Sequence, residues 1–183
     1  MSLVSRALAG AVVLSLAAGM AQAQAGLTSS PATVALTATK SATLTLSPTS
    51  ATATLASITD SSASNQFSAV NLTTSWNLTS GTSVRLIGWF ATPAQALVNG
   101  TDFIPSSKVE GRVGAAAFSP FSGGAVGGVG VANGSLQLFS QAVGAGTFLG
   151  SRSDQLDVRL NLANTFTVAG TYSGTLNLQA VVQ

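Results

Sequence analysis

From Gln155 to Leu162 the side chains alternate without a break. Leu156, Val158, Leu160 and Leu162 fall on one parity, and Gln155, Asp157, Arg159 and Asn161 fall on the other. A period of two places these sets on opposite faces of an extended strand. The C-terminus repeats the pattern: Tyr172, Gly174, Leu176, Leu178, Ala180 and Val182 share one face, and Ser173, Thr175, Asn177 and Gln179 share the other. Shorter stretches behave the same way at Val34, Leu36 and Ala38, at Ala42, Leu44 and Leu46, and at Leu72, Trp76 and Leu78. No window carries a helical period beyond a single turn around Pro93 to Leu97. Strands with one apolar and one polar face belong to antiparallel sheets wetted on one side. Ser and Thr, about a quarter of the chain, supply the wet face, and Thr suits strands.

The stretch from Ser83 to Thr92 departs from this rule. Val84, Leu86 and Phe90 lie on one parity, while Ile87 and Trp89 lie on the other, so this strand is expected to be central or covered by a loop. Thr79-Ser80-Gly81-Thr82 precedes it and suits a hairpin turn back onto the preceding strand. Asn99-Gly100 and Asn133-Gly134 are further turn signals. Gly114 to Gly134 is Gly-rich with Phe118 and Phe121 embedded in it, which suits a long irregular loop or an insertion packed by its two Phe rings, and the entropy cost of ordering glycine predicts the most mobile part of the mature domain. Pro48 to Ser64, rich in Ala, Ser and Thr, is expected as a linker or weak edge strand. Seven to nine strands with turns about every ten residues predict an all-β fold, a single antiparallel β-sandwich.

The N-terminus is expected to leave before folding. Arg6 precedes an apolar run from Ala7 to Ala18, and Ala21-Gln22-Ala23 offers small residues for cleavage. This pattern is that of a secretory signal peptide over residues 1–23, with a second site after residue 25. The apolar run is shorter than the roughly 20 residues that span a bilayer. The expected mature protein is secreted or at the cell surface, with periplasmic transit in a Gram-negative host and no membrane span. Residues 24–47 are expected as an N-terminal extension or first strands, and residues 48–183 as the sandwich with its Gly-rich loop at 114–134.

The chain has no Cys and no His, and 7% of its residues are charged. Zinc, haem and iron–sulfur ligation and thiol or His-based catalysis are thereby removed, and no cofactor is expected. Seven basic residues against five acids predict no nucleic-acid partner. The acids are Asp60, Asp102, Glu110, Asp154 and Asp157. A glycosidase needs two carboxylates about 5–10 Å apart across a cleft. Asp157 alternates with Gln155 and Arg159 on a polar strand face, which predicts a solvated charge or an ion pair with Arg159 rather than catalysis. Lys108, Glu110, Arg112, Asp154 and Asp157 are expected as cross-strand partners on a solvated face. Asp154 and Asp157 are too few for calcium, which takes six to eight oxygens. No enzyme activity, catalytic residue or metal site is expected. Trp76 shares a parity with Leu72 and Leu78 and is expected in the core. Trp89 is left as the candidate aromatic platform for a glycan.

The run Gly170-Thr-Tyr172-Ser-Gly174-Thr-Leu176-Asn-Leu178-Gln-Ala180-Val-Val182 resembles the last strand of chaperone–usher pilins and of the related spore coat protein U domains. The resemblance implies an incomplete immunoglobulin-like sandwich whose terminal strand borders a groove. In that family a neighbour's N-terminal extension fills the groove. Gly170, Tyr172, Leu176, Leu178, Ala180 and Val182 would then form the groove strand. Val34, Leu36 and Ala38, or Ala42, Leu44 and Leu46, would be the donor. Trp76-Asn-Leu78, with Tyr172, Leu176 and Leu178, also resembles in part the motifs of WxL cell-surface domains. Both resemblances imply a non-catalytic surface protein. The expected function is a subunit of a surface fibre, pilus or coat assembled by strand addition, with a glycan- or cell-wall-binding adhesion module as the alternative. Expected partners are further copies of the chain, a periplasmic chaperone or a cell-wall glycan. With Arg6 removed, the mature net charge is six minus five, or +1, and so weak a self-repulsion suits close stacking of copies.

Overall fold

Alternation becomes strand wherever one parity finds a core to face. The computed structural model describes residues 30–79 and 83–183. The expected signal peptide and the middle of the turn at Thr79 to Thr82 lie outside the described residues. The chain divides into two units, Met1–Thr39 and Lys40–Gln183. In the first, described residues 30–39 form no strand or helix and are exposed. The second holds all eleven strands found among the described residues.

These are β1 (Thr43–Pro48), β2 (Asn65–Gln66), β3 (Val70–Asn77), β4 (Ser83–Trp89), β5 (Leu97–Asn99), β6 (Asp102–Ile104), β7 (Val109–Val113), β8 (Ser119–Pro120), β9 (Ser135–Ala142), β10 (Leu149–Leu160) and β11 (Asn177–Val182). The larger sheet has the order β1-β3-β10-β7-β8, with β2 also on β10; the smaller is β11-β4-β9; β5 and β6 form a separate pair. All named pairs are antiparallel. The expected all-β antiparallel sandwich is therefore observed. The strand count exceeds seven to nine because two- and three-residue strands carry no readable alternation. Single 3-10 turns at Pro93–Gln95 and Ser106–Lys108 are the helical elements described. No helix among the described residues is long and apolar enough to cross a membrane.

β10 is the long joist of the larger sheet. Its first part pairs with β3 from Leu149 to Leu156, and its end pairs with β7 from Leu156 to Leu160. Leu156, Leu160 and, just beyond the strand, Leu162 are buried, as their parity requires. Leu72, Trp76 and Leu156 of this sheet pack with Val84, Leu86, Leu138 and Phe139 of the smaller one. Trp76 is 6% exposed, and its indole Nε1 donates to the Thr147 carbonyl at 3.0 Å. A second cluster gathers Phe90, Leu97, Ile104, Val109, Phe121, Leu160 and Leu162.

One expectation is corrected. The turn at Thr79 to Thr82 does not close a hairpin: β3 lies in the larger sheet and β4 in the smaller. The apolar parities of the two strands face each other across the core instead of sharing a ladder. β4 is central in its own sheet, and Ile87 on its other parity is also buried. Of the two readings of the Gly-rich stretch, the structure matches an insertion packed through its Phe rings. Phe121 is fully buried against Phe90, with ring centroids 5.3 Å apart and the planes at 86°. A Cβ at Gly88 or at Gly111 would come within 2.9 Å or 2.8 Å of its ring, so these two glycines, one in each sheet, make its socket.

Thr74, 1% exposed, carries the one buried side-chain polar atom among the described residues that has no hydrogen-bond partner, its Oγ1. An unpaired buried hydroxyl is a net cost. Thr74→Val, which keeps the shape, is expected to raise stability by about 1 kcal/mol in urea unfolding; a loss of stability would show that the hydroxyl is satisfied.

Candidate functional site

A concavity follows from how the two sheets end. β1 has one hydrogen-bonded neighbour, β3, and β11 has one, β4, so each leaves an edge without a strand partner among the described residues. Between these edges runs a groove of about 790 Å³. Leu44, Leu46 and Pro48 of β1 line one side, continued by Ala51 and Ala53. Leu176, Leu178 and Ala180 line the other. Phe67, Val70, Phe90, Leu97, Val109, Leu156 and Val158 contribute the remaining apolar lining. Thr45, Ser50, Thr52, Thr175, Asn177 and Gln179 also line it, but no Lys, Arg, Asp or Glu does.

Local sequence explains both walls. In β11, Leu178 stands opposite Gly88 and Ala180 opposite Leu86, so the parity of the inner residues of β4 carries Leu178 and Ala180 inward. In β1, Leu44 stands opposite Trp76 and Leu46 opposite Thr74, both buried, while Thr43, Thr45 and Ser47 are exposed. Just before β11, Gly174 is pressed against the Ala96 carbonyl oxygen, leaving no room for a side chain there. Backbone bonds between Val98 and Ser173 in both directions fix the same segment to β5.

The residues expected at a groove strand thus divide. Leu176, Leu178 and Ala180 line the groove; Gly170 packs against Asn99, Tyr172 lines a different hollow, and Val182 is 36% exposed at the strand end. Of the two expected donors, the Ala42 to Leu46 segment is engaged within its own chain: Leu44 and Leu46 belong to β1, paired to β3, because their parity completes the chain's own core, and Ala42 just precedes that strand. Val34 and Leu36 are 80% and 91% exposed, and Ala38 is exposed as well. Missed from the sequence were the loop residues Ala51 and Ala53, whose low-complexity surroundings carry no period.

The charged residues lie elsewhere. On the outer parity of β7 and β10, Arg112 stands opposite Asp157 and Glu110 opposite Arg159. The pairs close at 3.0 Å and 2.6 Å. Gln155 and Asn161 add hydrogen bonds of 2.8 Å to Asp157 and Glu110. The guanidinium carbons of Arg112 and Arg159 lie 4.3 Å and 4.1 Å from the centre of the Phe118 ring. The cross-strand pairing is as expected for Glu110, Arg112 and Asp157, but the face is not fully solvated: Asp157 is 3% exposed. Asp157 pairs with Arg112 rather than with Arg159. Asp154 lies on the other parity and pairs with Arg152 at 2.6 Å, and Arg152 lies 3.9 Å from the Phe139 ring centre. Lys108 joins neither network. Trp89, the expected glycan platform, is half-buried, and its carbonyl accepts from Asn177.

No family model matches the chain, and no curated protein matches it.

Proposed function

We propose that this protein is an exported structural subunit that polymerises head to tail, the segment Thr33 to Ala38 of one copy adding as a strand to the groove of the next. The observation that carries the reading is the apolar groove between the unpaired edges of β1 and β11 in a chain that also holds an exposed alternating segment. An open sheet edge beside apolar surface favours strand addition, in which main-chain bonds give affinity and alternate side chains give register. The dimensions agree. Val34 to Ala38 spans about 13 Å at about 3.3 Å per residue, the same span as Leu176 to Ala180. Three alternating apolar residues therefore meet three. Burying Val34 and Leu36 fully is worth roughly 1.5–3 kcal/mol each.

The test is the size of the mature chain in solution. The mature chain is expected to form polymers whose length rises with concentration, and a chain starting at Lys40 is expected to stay monomeric. The truncation stops there because β1 belongs to the chain's own sheet. Persistent monomer from the intact mature chain at all concentrations would overturn the reading; so would polymers from the truncated one.

A further inference from the structure

A second hollow, of about 270 Å³, shares no lining residue with the groove. It is built where the β5–β6 hairpin meets the segment before β11. Phe103, Phe166, Val168 and Tyr172 supply its apolar surface, and Asp102 and Lys108 supply its charges. We propose that this hollow binds a single hexopyranose unit of a neutral glycan.

Four observations point there. First, two aromatic rings stand out of the fold: Phe103 is 51% exposed and Phe166 80%. Second, the Phe166 loop is pinned, so its exposure is not that of a loose end. Asp60 Oδ1 accepts from the backbone N–H of Thr167 at 2.9 Å and from its hydroxyl at 2.8 Å. The Ser61 N–H donates to the Thr165 carbonyl at 3.0 Å, and the Thr165 N–H donates to the Leu162 carbonyl at 2.8 Å. Third, Asp102 and Lys108 line the same hollow, yet neither is among the ion pairs formed by the described residues. In a chain with so few charges, the other acids all hold a partner: Asp60 with Thr167, Glu110 with Arg159, Asp154 with Arg152 and Asp157 with Arg112. Fourth, the volume lies just below the usual range of ligand pockets, about 300–1,000 Å³, which suits one ring rather than a longer ligand.

The chemistry selects the class. A hexopyranose has an apolar C–H face and a rim of hydroxyls that both donate and accept. The Phe rings match the face. The Asp102 carboxylate accepts, the Lys108 ammonium donates, and the Tyr172 phenol does either. One carboxylate and one ammonium sum to zero, so the hollow has no preference for an anionic headgroup or a cationic chain. An acyl chain would leave both charges buried and unpaired, which is costly. Asp60 touches no ligand here; it is a positioning residue that holds Phe166 in place.

The experiment is saturation-transfer NMR and titration calorimetry on the mature chain, with the methyl glycosides of glucose, galactose, mannose and N-acetylglucosamine as probes. At least one is expected to bind saturably with Kd on the order of 1 mM, as suits one small ligand in a shallow hollow. Phe166→Ala and Asp102→Asn are each expected to weaken it about tenfold or more. Phe166 is so exposed that its loss leaves the fold intact, which unchanged circular dichroism would verify. Asp60→Ala is expected to weaken binding as well, and Trp89→Ala to leave it unchanged. The proposal is overturned if none of the four binds saturably, if binding survives both Phe166→Ala and Asp102→Asn, or if Phe166→Ala merely disperses an oligomer while no sugar binds. Because no lining residue is shared with the groove, loss of polymerisation and loss of sugar binding are separately readable.

Discussion

Val34→Asp/Leu36→Asp chains and Ala180→Phe chains are each expected to be monomeric alone, and to form a discrete dimer when mixed. The first variant has a spoiled donor and a sound groove; the second has a sound donor and a filled groove. Head-to-tail assembly lets the donor of the second enter the groove of the first, and then stops, because the free ends of that pair are both defective. A symmetric, groove-to-groove contact predicts no such complementation. Two carboxylates in an apolar groove would each lose solvation without a partner, so the donor defect is expected to abolish polymer rather than shorten it. Ala180 lines the groove half-buried, so a larger apolar residue there occupies the space without burying charge. Analytical ultracentrifugation of the single variants and of the equimolar mixture reads the result. A mixture that stays monomeric, or that forms long polymer, rejects donor entry into this groove.

Phe121→Ala is expected to lower the stability of the donor-spoiled monomer by about 3–5 kcal/mol, the usual cost of deleting a fully buried Phe. The ring is fully buried and sits between Gly88 and Gly111. Gly111→Ala alone is expected to cost about 1–3 kcal/mol, because its new methyl group would stand 2.8 Å from the ring. In the Phe121→Ala background the same methyl group enters vacated space, and its cost is expected to vanish. Urea unfolding of the four chains gives the coupling directly. Additive losses would mean that the glycine and the ring do not share a socket.

These residues also mark how far the sequence could be read. The parity of Leu156, Leu160 and Leu162 was legible because a strand's own neighbours set its faces. The pairing of Glu110 with Arg159 and of Arg112 with Asp157 was legible as a class, and only the register decided which acid met which base. The turn before β4 was misread because turn chemistry says that the chain reverses, not which sheet it joins. Packing by Phe121 was legible as one alternative, but its segment has no period, and nothing in the sequence marks Gly88 and Gly111 as its socket. The groove was half legible. Alternation near Leu178 was plain, but an unpaired edge is a property of what is not beside it, and no single strand encodes that. The hollow at Phe103 and Phe166 was not legible at all, since one ring stands on the short strand β6 and the other on a loop far along the chain.

β1 is joined directly to the segment that precedes it and also forms one wall of the groove. In a fibre assembled as proposed, tension would enter each subunit at the start of β1 and leave through the strand held between β1 and β11. The load would pass along the strands, so that many hydrogen bonds share it in shear instead of opening one at a time. A pulled fibre would then extend little before it breaks, and would break between subunits with each domain still folded.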